Sequence, residues 1–270
     1  MSAAIQAYFG LSQPPFSREV PAADLWREAG RQEHVDRLVE TLQARRNALV
    51  TGEPGVGKNG LLWLLTDALS PVHNRVVYIS HVTLGRRDFY RQLALALGIE
   101  PRGTPASLFE AIQRDIRQLS VEQRIHPVLV LDEAHLLPDS TLGHLHVLLN
   151  FDMDRKPLMS LVLVGLPEIL ARLKLGIHRS LLTRLHTHIA LPPLTLEQAT
   201  AYLRRRMELA GARQDLFLPD ALAVLHEATG GALRSLDTLA EATLGLAARD
   251  QVRLVDRALV RRALRETPLA

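Results

Sequence analysis

Thr51-Gly52-Glu53-Pro54-Gly55-Val56-Gly57-Lys58-Asn59 is the stretch whose reading decides the fold. It follows the phosphate-loop pattern G-x-x-x-x-G-K, with Asn59 where the pattern carries Ser or Thr. The apolar run Asn47-Ala48-Leu49-Val50 before it suits a buried strand. Leu61-Leu62-Trp63-Leu64-Leu65 after it suits a helix packed on a sheet. Glycines at 52, 55 and 57 let successive backbone N–H groups turn inward around a phosphate, and the start of the next helix adds its positive end. Lys58 then reaches the β- and γ-phosphates as a point charge. The candidate nucleotide-binding residues are Gly52, Glu53, Pro54, Gly55, Val56, Gly57, Lys58, Asn59 and Gly60.

A second motif lies downstream, where the run Pro127-Val128-Leu129-Val130-Leu131 ends in Asp132-Glu133. A buried strand delivers Asp132 to a place where its carboxylate holds Mg2+ through water. Glu133 is then placed to orient and deprotonate the attacking water. ATP and Mg2+ are the expected cofactors, with Asn59 and Asp132 on the metal side, and hydrolysis to ADP and phosphate is the expected reaction.

The flanking pattern supplies the fold class. Val35, Leu38, Val39 and Leu42 predict a helix over 33–46, and further helices are expected over 87–97, 105–119 and 142–151. Strands are expected at 75–80, 158–164 and 189–191. Strands alternating with helices, with phosphate chemistry at strand ends, predict an α/β fold with a five-stranded parallel sheet covered on both faces. After Pro192-Pro193 the pattern is helical throughout (197–210, 219–229, 233–247 and 255–264) and no strand is expected. Pro14, Pro15 and Pro21 break the first thirty residues, whose Tyr8, Phe9, Leu11 and Phe16 are suited to staple an arm onto the core. The expected organisation is an arm at 1–30, a nucleotide-binding domain at 31–192 and a small all-α lid at 193–270.

Composition narrows the setting. A 270-residue chain that is 47% hydrophobic can bury one large core or a core plus a smaller one. The absence of cysteine excludes disulfides and thiolate metal sites and points to a reducing cytoplasm. A net charge of +3 permits nucleic acid binding without requiring it. With no run of 18 apolar residues, and with Met1-Ser2-Ala3-Ala4 opening no signal peptide, no membrane partner is expected. His144 and His146 stand two apart, on different faces of a helix, which argues against a metal pair.

Taken together, the phosphate loop, Asp132-Glu133, a fourth strand, an arginine-bearing segment and a helical lid come in an order that resembles the AAA+ ATPases. More narrowly, the chain resembles the ExeA-like family, which includes transposition-helper ATPases of mobile elements. Four stretches carry the likeness: Tyr8-Phe9-Gly10-Leu11 with Pro15-Phe16-Ser17; the phosphate loop; Leu131 to Leu137; and Leu191-Pro192-Pro193-Leu194-Thr195 leading to Tyr202-Leu203 and Ala210-Gly211. The resemblance implies a three-layer P-loop core and an ATP site shared by neighbouring subunits. Arg184 stands where relatives carry the arginine that reaches a neighbour's γ-phosphate, with Arg179 the nearby alternative. Arg234 matches the lid arginine that senses nucleotide in cis. An always-charged planar guanidinium suits both tasks.

The resemblance further implies an ATP-dependent ring or helical oligomer and sequence-tolerant contact with double-stranded DNA through Arg86, Arg87 and Arg91. It also implies a transposase partner whose choice of target DNA the protein assists. Two other readings stand beside it: a secretion-apparatus ATPase like ExeA, and a nucleotide-gated scaffold that recruits a protein without DNA. Two departures from the family pattern predict slow hydrolysis, with ATP acting mainly as an assembly signal. Asn59 replaces the metal-binding hydroxyl, and Leu166 stands where relatives carry a polar residue that helps to position water.

Overall fold

The computed structural model describes residues 3–17, 19–21, 24–80 and 82–268. Met1 and Ser2, which entered the reading of the amino terminus, lie outside the described residues. The chain runs α1 (Ala3–Phe9), α2 (Ala29–Gln43), β1 (Asn47–Gly52), α3 (Lys58–Ala68), β2 (Asn74–Ile79), α4 (Arg86–Leu97), α5 (Pro105–Arg117) and β3 (His126–Leu131). It continues through α6 (Asp139–Leu142), α7 (Leu145–Leu148), β4 (Ser160–Gly165), α8 (Glu168–Leu173), α9 (Arg179–Leu182) and β5 (Leu185–Leu191). Four helices close it: α10 (Leu196–Leu209), α11 (Pro219–Thr229), α12 (Leu233–Arg249) and α13 (Arg257–Glu266). By contacts these residues form two compact units, one of Met1–Glu28, Glu53–Gly60 and Pro192–Ala270, the other of Ala29–Gly52 and Leu61–Leu191.

The α/β unit is built on a five-stranded sheet in the order β2-β3-β4-β1-β5, parallel at every pairing. β1, β3 and β4 are buried at each of their positions, the pattern of central parallel strands covered on both faces. On one face Leu49, Leu129, Leu131, Leu161 and Leu163 pack with Phe89 and Leu93 of α4 and Leu108 and Ile112 of α5. Because all strands run the same way, their carboxyl ends share one edge. Gly52, Leu131 and Gly165 end three adjacent strands there, with β4 between β1 and β3. The N–H of Asp132 extends the β2–β3 ladder by bonding the Ile79 carbonyl at 2.9 Å, which fixes the first residue beyond the strand.

Three sequence expectations are corrected. The helix expected over 142–151 is instead α6 and α7, separated by Gly143 and His144. A Cβ at Gly143 would press the Asp139 carbonyl at 3.0 Å, and His144 turns its ring to the Tyr90 hydroxyl at 2.5 Å. The helix over 105–119 stops at Arg117, where a π-turn (Gln118–Glu122) takes over. β5 starts at Leu185, four residues before the expected Ile189. As an edge strand it alternates, with His186 and His188 outward, so its first half lacks an apolar run.

In the helical unit, α10 opens with a capping box in which Thr195 and Gln198 satisfy each other's backbone N–H. Leu203, Leu225, Leu236, Leu239 and Val260 fill its core, and Phe9, Leu11 and Phe16 from the arm insert into that same core. Backbone joins the arm as well: Ser12 N–H donates to the Ala210 carbonyl at 2.8 Å, and the Arg206 guanidinium donates to the Pro15 and Ser17 carbonyls. No strand was expected after Pro193, and the one extended pairing beyond it among the described residues is a single parallel bridge between Phe217 and Val255.

Candidate functional site

The phosphate loop leaves β1 at Gly52 and re-enters regular structure at Lys58, the first residue of α3. Gly55 and Gly57 take φ of 79° and 95°, left-handed conformations that favour glycine. Gly55 also packs closely against α12. A Cβ there would stand 3.2 Å from Arg234 Cβ, and the Gly55 carbonyl accepts the Arg234 N–H at 3.2 Å. The loop is thereby tied to the first turn of α12. Lys58 is 8% exposed and its ammonium donates to the Glu53 carbonyl at 3.1 Å, holding the cation over its own loop. Glu53, Pro54 and Asn59 are exposed, Val56 is buried and the Arg234 side chain is exposed. Backbone amides, a lysine and a helix start are the chemistry that suits phosphate groups, and an arginine lies nearby.

In the α/β unit, Asp132 is 3% exposed at the carboxyl edge of the sheet. Its Oδ1 accepts the Glu133 N–H at 2.8 Å and its Oδ2 accepts the Tyr78 hydroxyl at 2.7 Å. Burial, and then the bond to Asp132, push the Tyr78 phenol far above its ordinary pKa, so it remains a donor. Glu133 adopts a left-handed backbone (φ 52°), the one residue of the motif that does. Its Oε2 lies 3.5 Å from His135 Nδ1, which accepts the Leu166 N–H at 3.3 Å. With Nδ1 accepting, the neutral ring carries its proton on Nε2 and gives Glu133 no hydrogen bond. Gly165 makes this approach possible, since a Cβ there would lie 3.1 Å from His135 N and 3.2 Å from its Nδ1. At the fourth-strand position Leu166 thus contributes its backbone N–H, received by His135, in place of a polar side chain.

The 3-10 turn of Ala134–Leu136 is held from behind. Arg172 donates to the carbonyls of His135 and Leu137, both at 2.6 Å, and to the Asp139 carboxylate. Arg172 and then His178 hold the Asp139 carboxyl below its usual range. His135 was read in the sequence as part of the Asp132-Glu133-Ala134-His135 motif, whereas Tyr78 and Arg172 were missed as members of this cluster. Period-two alternation along β2 could have found Tyr78, because it puts Tyr78 and Ser80 on one face; nothing local marks Arg172.

Magnesium takes oxygen ligands, commonly one or two carboxylates with water and phosphate. Each Asp132 oxygen accepts one hydrogen bond here and keeps a second lone pair, and Asn59 offers an exposed amide oxygen. This donor chemistry fits Mg2+. Among the described residues, no group of three or more His, Asp or Glu is arranged to hold a metal by itself.

The remaining arginines differ in commitment. Arg184 is engaged by the Asp154 carboxylate and by the Ser180 carbonyl at 2.8 Å. Arg179, at the start of α9, is exposed and has no acidic partner among the described residues. Arg86 and Arg87 occupy the first turn of α4 and Arg91 lies a turn beyond, all three exposed. Cations at a helix N-terminus oppose its dipole, so this placement costs stability rather than adding it. No helix among the described residues is long and apolar enough to cross a membrane.

The chain is similar to known proteins. Residues 40–173 match the family model described as an AAA domain. The chain is 32% identical over 241 residues to General secretion pathway protein A of Aeromonas hydrophila, an alignment covering 88% of this chain and 44% of that protein. The chain therefore spans less than half of that relative's length. Among solved structures, the Aeropyrum pernix ORC1 protein in complex with DNA is similar with a TM-score of 0.70 at 20% identity, over 93% of this chain and 68% of that one. Cdc6p from Pyrobaculum aerophilum is similar with a TM-score of 0.71 at 22% identity, over 93% and 70%. The Thermotoga maritima RuvB Holliday junction branch migration motor is similar with a TM-score of 0.62 at 16% identity, over 94% and 73%.

Proposed function

We propose that this chain, which has the P-loop AAA+ fold and carries an AAA domain over residues 40–173, works as an ATP-operated switch. ATP binding draws copies together on double-stranded DNA, and the assembly helps a transposase to select or engage its target. The observation that carries the switch is the bond from Arg234 N–H to the Gly55 carbonyl. It couples the loop that would take the phosphates to α12, so a bound triphosphate bears directly on the helical unit. In this reading Gly52 to Gly60 hold the phosphates, Lys58 neutralises them, and Arg234 senses their loss. Glu133 orients a water and accepts its proton, while Asp132 and Asn59 hold the metal side. Bound Mg2+ would supply charge neutralisation on the phosphates.

Arg179 is the better-placed residue to reach a neighbouring copy's phosphate, because Arg184 would first have to leave Asp154. Arg86, Arg87 and Arg91 are the proposed DNA contacts, a role for which an unfavourable position at a helix start is a reasonable cost. Asn59 and Leu166 support slow turnover. The transposase and the cytoplasmic setting rest on resemblance to the helper ATPases and on composition.

A secretion-apparatus ATPase is the second reading, favoured by the 32% identity to the Aeromonas hydrophila protein. One experiment separates the two: size exclusion and gel shift with a non-hydrolysable ATP analogue, with and without duplex DNA. Assembly on DNA only with nucleotide supports the switch on DNA. Nucleotide-driven assembly indifferent to DNA supports the secretion ATPase or a protein-recruiting scaffold. Failure to bind nucleotide defeats every version.

A further inference from the structure

Tyr78 has no part in the chemistry proposed above, yet its hydroxyl is bonded to the carboxylate that chemistry needs. It stands on β2, an edge strand, where the parallel register places it opposite Val130, two residues before Asp132. Its ring is 50% exposed, but its hydroxyl turns back to Asp132 Oδ2 at 2.7 Å. The other Asp132 oxygen is fixed by the Glu133 N–H at 2.8 Å. The carboxylate is therefore held in one plane with a donor on each oxygen, and each donor draws off charge that a cation would otherwise meet.

We infer that Tyr78 is a positioning residue for Asp132, fixing the carboxylate and weakening its hold on Mg2+, so that nucleotide capture leans on the loop amides and Lys58 more than on metal. The inference rests on the reading of Asp132 as the metal-side carboxylate. It explains how a loop with Asn59 in place of a hydroxyl can remain a phosphate receptor, since neither protein group on the metal side is a strong ligand and capture falls to the loop.

The test is a titration of a fluorescent ATP analogue into the full chain at Mg2+ levels from EDTA to millimolar. In Tyr78→Phe the affinity in EDTA stays at the wild-type value, while the Mg2+ concentration giving half of the metal-dependent gain falls about three- to tenfold, the loss of one hydrogen bond to a charged group. Manganese binding followed by electron paramagnetic resonance gives the same ordering without turnover. An unchanged or raised midpoint in Tyr78→Phe overturns the inference, as does loss of binding in EDTA, which would mark a merely structural residue. If Asp132→Asn leaves the metal dependence of the wild type intact, the reading of the site itself fails, and this inference with it.

Discussion

Asp237 offers a quantitative test of how α12 is held. It lies one turn beyond Arg234, and its carboxylate accepts the Tyr202 hydroxyl at 2.8 and 3.0 Å. Burial pushes this carboxyl up to about 6 from an ordinary 3.8; the Tyr202 bond and Arg206 pull it down and Glu241 pushes it up, but burial dominates. Below 3.8 both folded and unfolded chains hold the proton and the group is silent. Between 3.8 and about 6 the folded chain keeps a proton that the unfolded chain has released, so stability falls as pH rises. Above 6 the whole penalty is present, about 3 kcal/mol at 1.36 kcal/mol per pH unit. Asp237→Asn removes the charge while its amide oxygen still accepts from Tyr202. It should be more stable than wild type at pH 8 by about 1–3 kcal/mol, the amide retaining some cost of burial, and the advantage should vanish near pH 4. Trp26 packs edge-on against Tyr202 at 5.3 Å and reports on this helical unit. Urea unfolding followed by Trp26 fluorescence, in a Trp63→Phe background, therefore isolates the effect. Equal pH slopes for wild type and Asp237→Asn would refute the reasoning.

Other perturbations have equally definite outcomes. Lys58→Ala should cut nucleotide affinity by about 100-fold in calorimetry, the loss of a nearly buried cation facing phosphate, with the circular dichroism spectrum retained. Asn59→Thr restores a hydroxyl on the metal side and should raise Mg2+-dependent phosphate release severalfold; an unchanged rate removes Asn59 as the cause of slow turnover. Arg179→Ala should abolish nucleotide-driven assembly in size exclusion, whereas Arg184→Ala should act mainly by releasing Asp154 and lowering the melting temperature. Gly165→Ala should cost about 1–3 kcal/mol in thermal unfolding by driving His135 off its place beside Leu166.

The phosphate loop, the strand that leads to Asp132 and the helical character after Pro193 were legible in the sequence because each rests on local pattern. Central strands announce themselves as unbroken apolar runs, and α11 matched its expected bounds at Pro219–Thr229 because proline and glycine punctuate it. β5 was half hidden because an edge strand carries polar residues on its open face. The surroundings of the break were hidden as well: the ring of His178, 35 residues away, stands beside Gly143. The partners of the candidate residues were the least legible. Nothing near Arg184 announces Asp154, which is presented by three successive left-handed residues, Asp152, Met153 and Asp154, none of them glycine. Nor does the sequence around Asp132 name Tyr78, a residue 54 positions earlier that the parallel register brings alongside.

The helical unit is assembled from three separated pieces of chain: the arm, the phosphate loop and the last four helices. A ribosome delivers these pieces in order, and the first must wait for the last. When Phe9, Leu11 and Phe16 emerge, the core that receives them has not been made, while the strands of the sheet can pair as soon as β5 is out. The Gly55 carbonyl meets Arg234 only after the first turn of α12 has been made. A nascent chain stalled before residue 233 would therefore expose aromatic side chains and a phosphate loop without α12, so competence for nucleotide should arrive only once α12 has emerged.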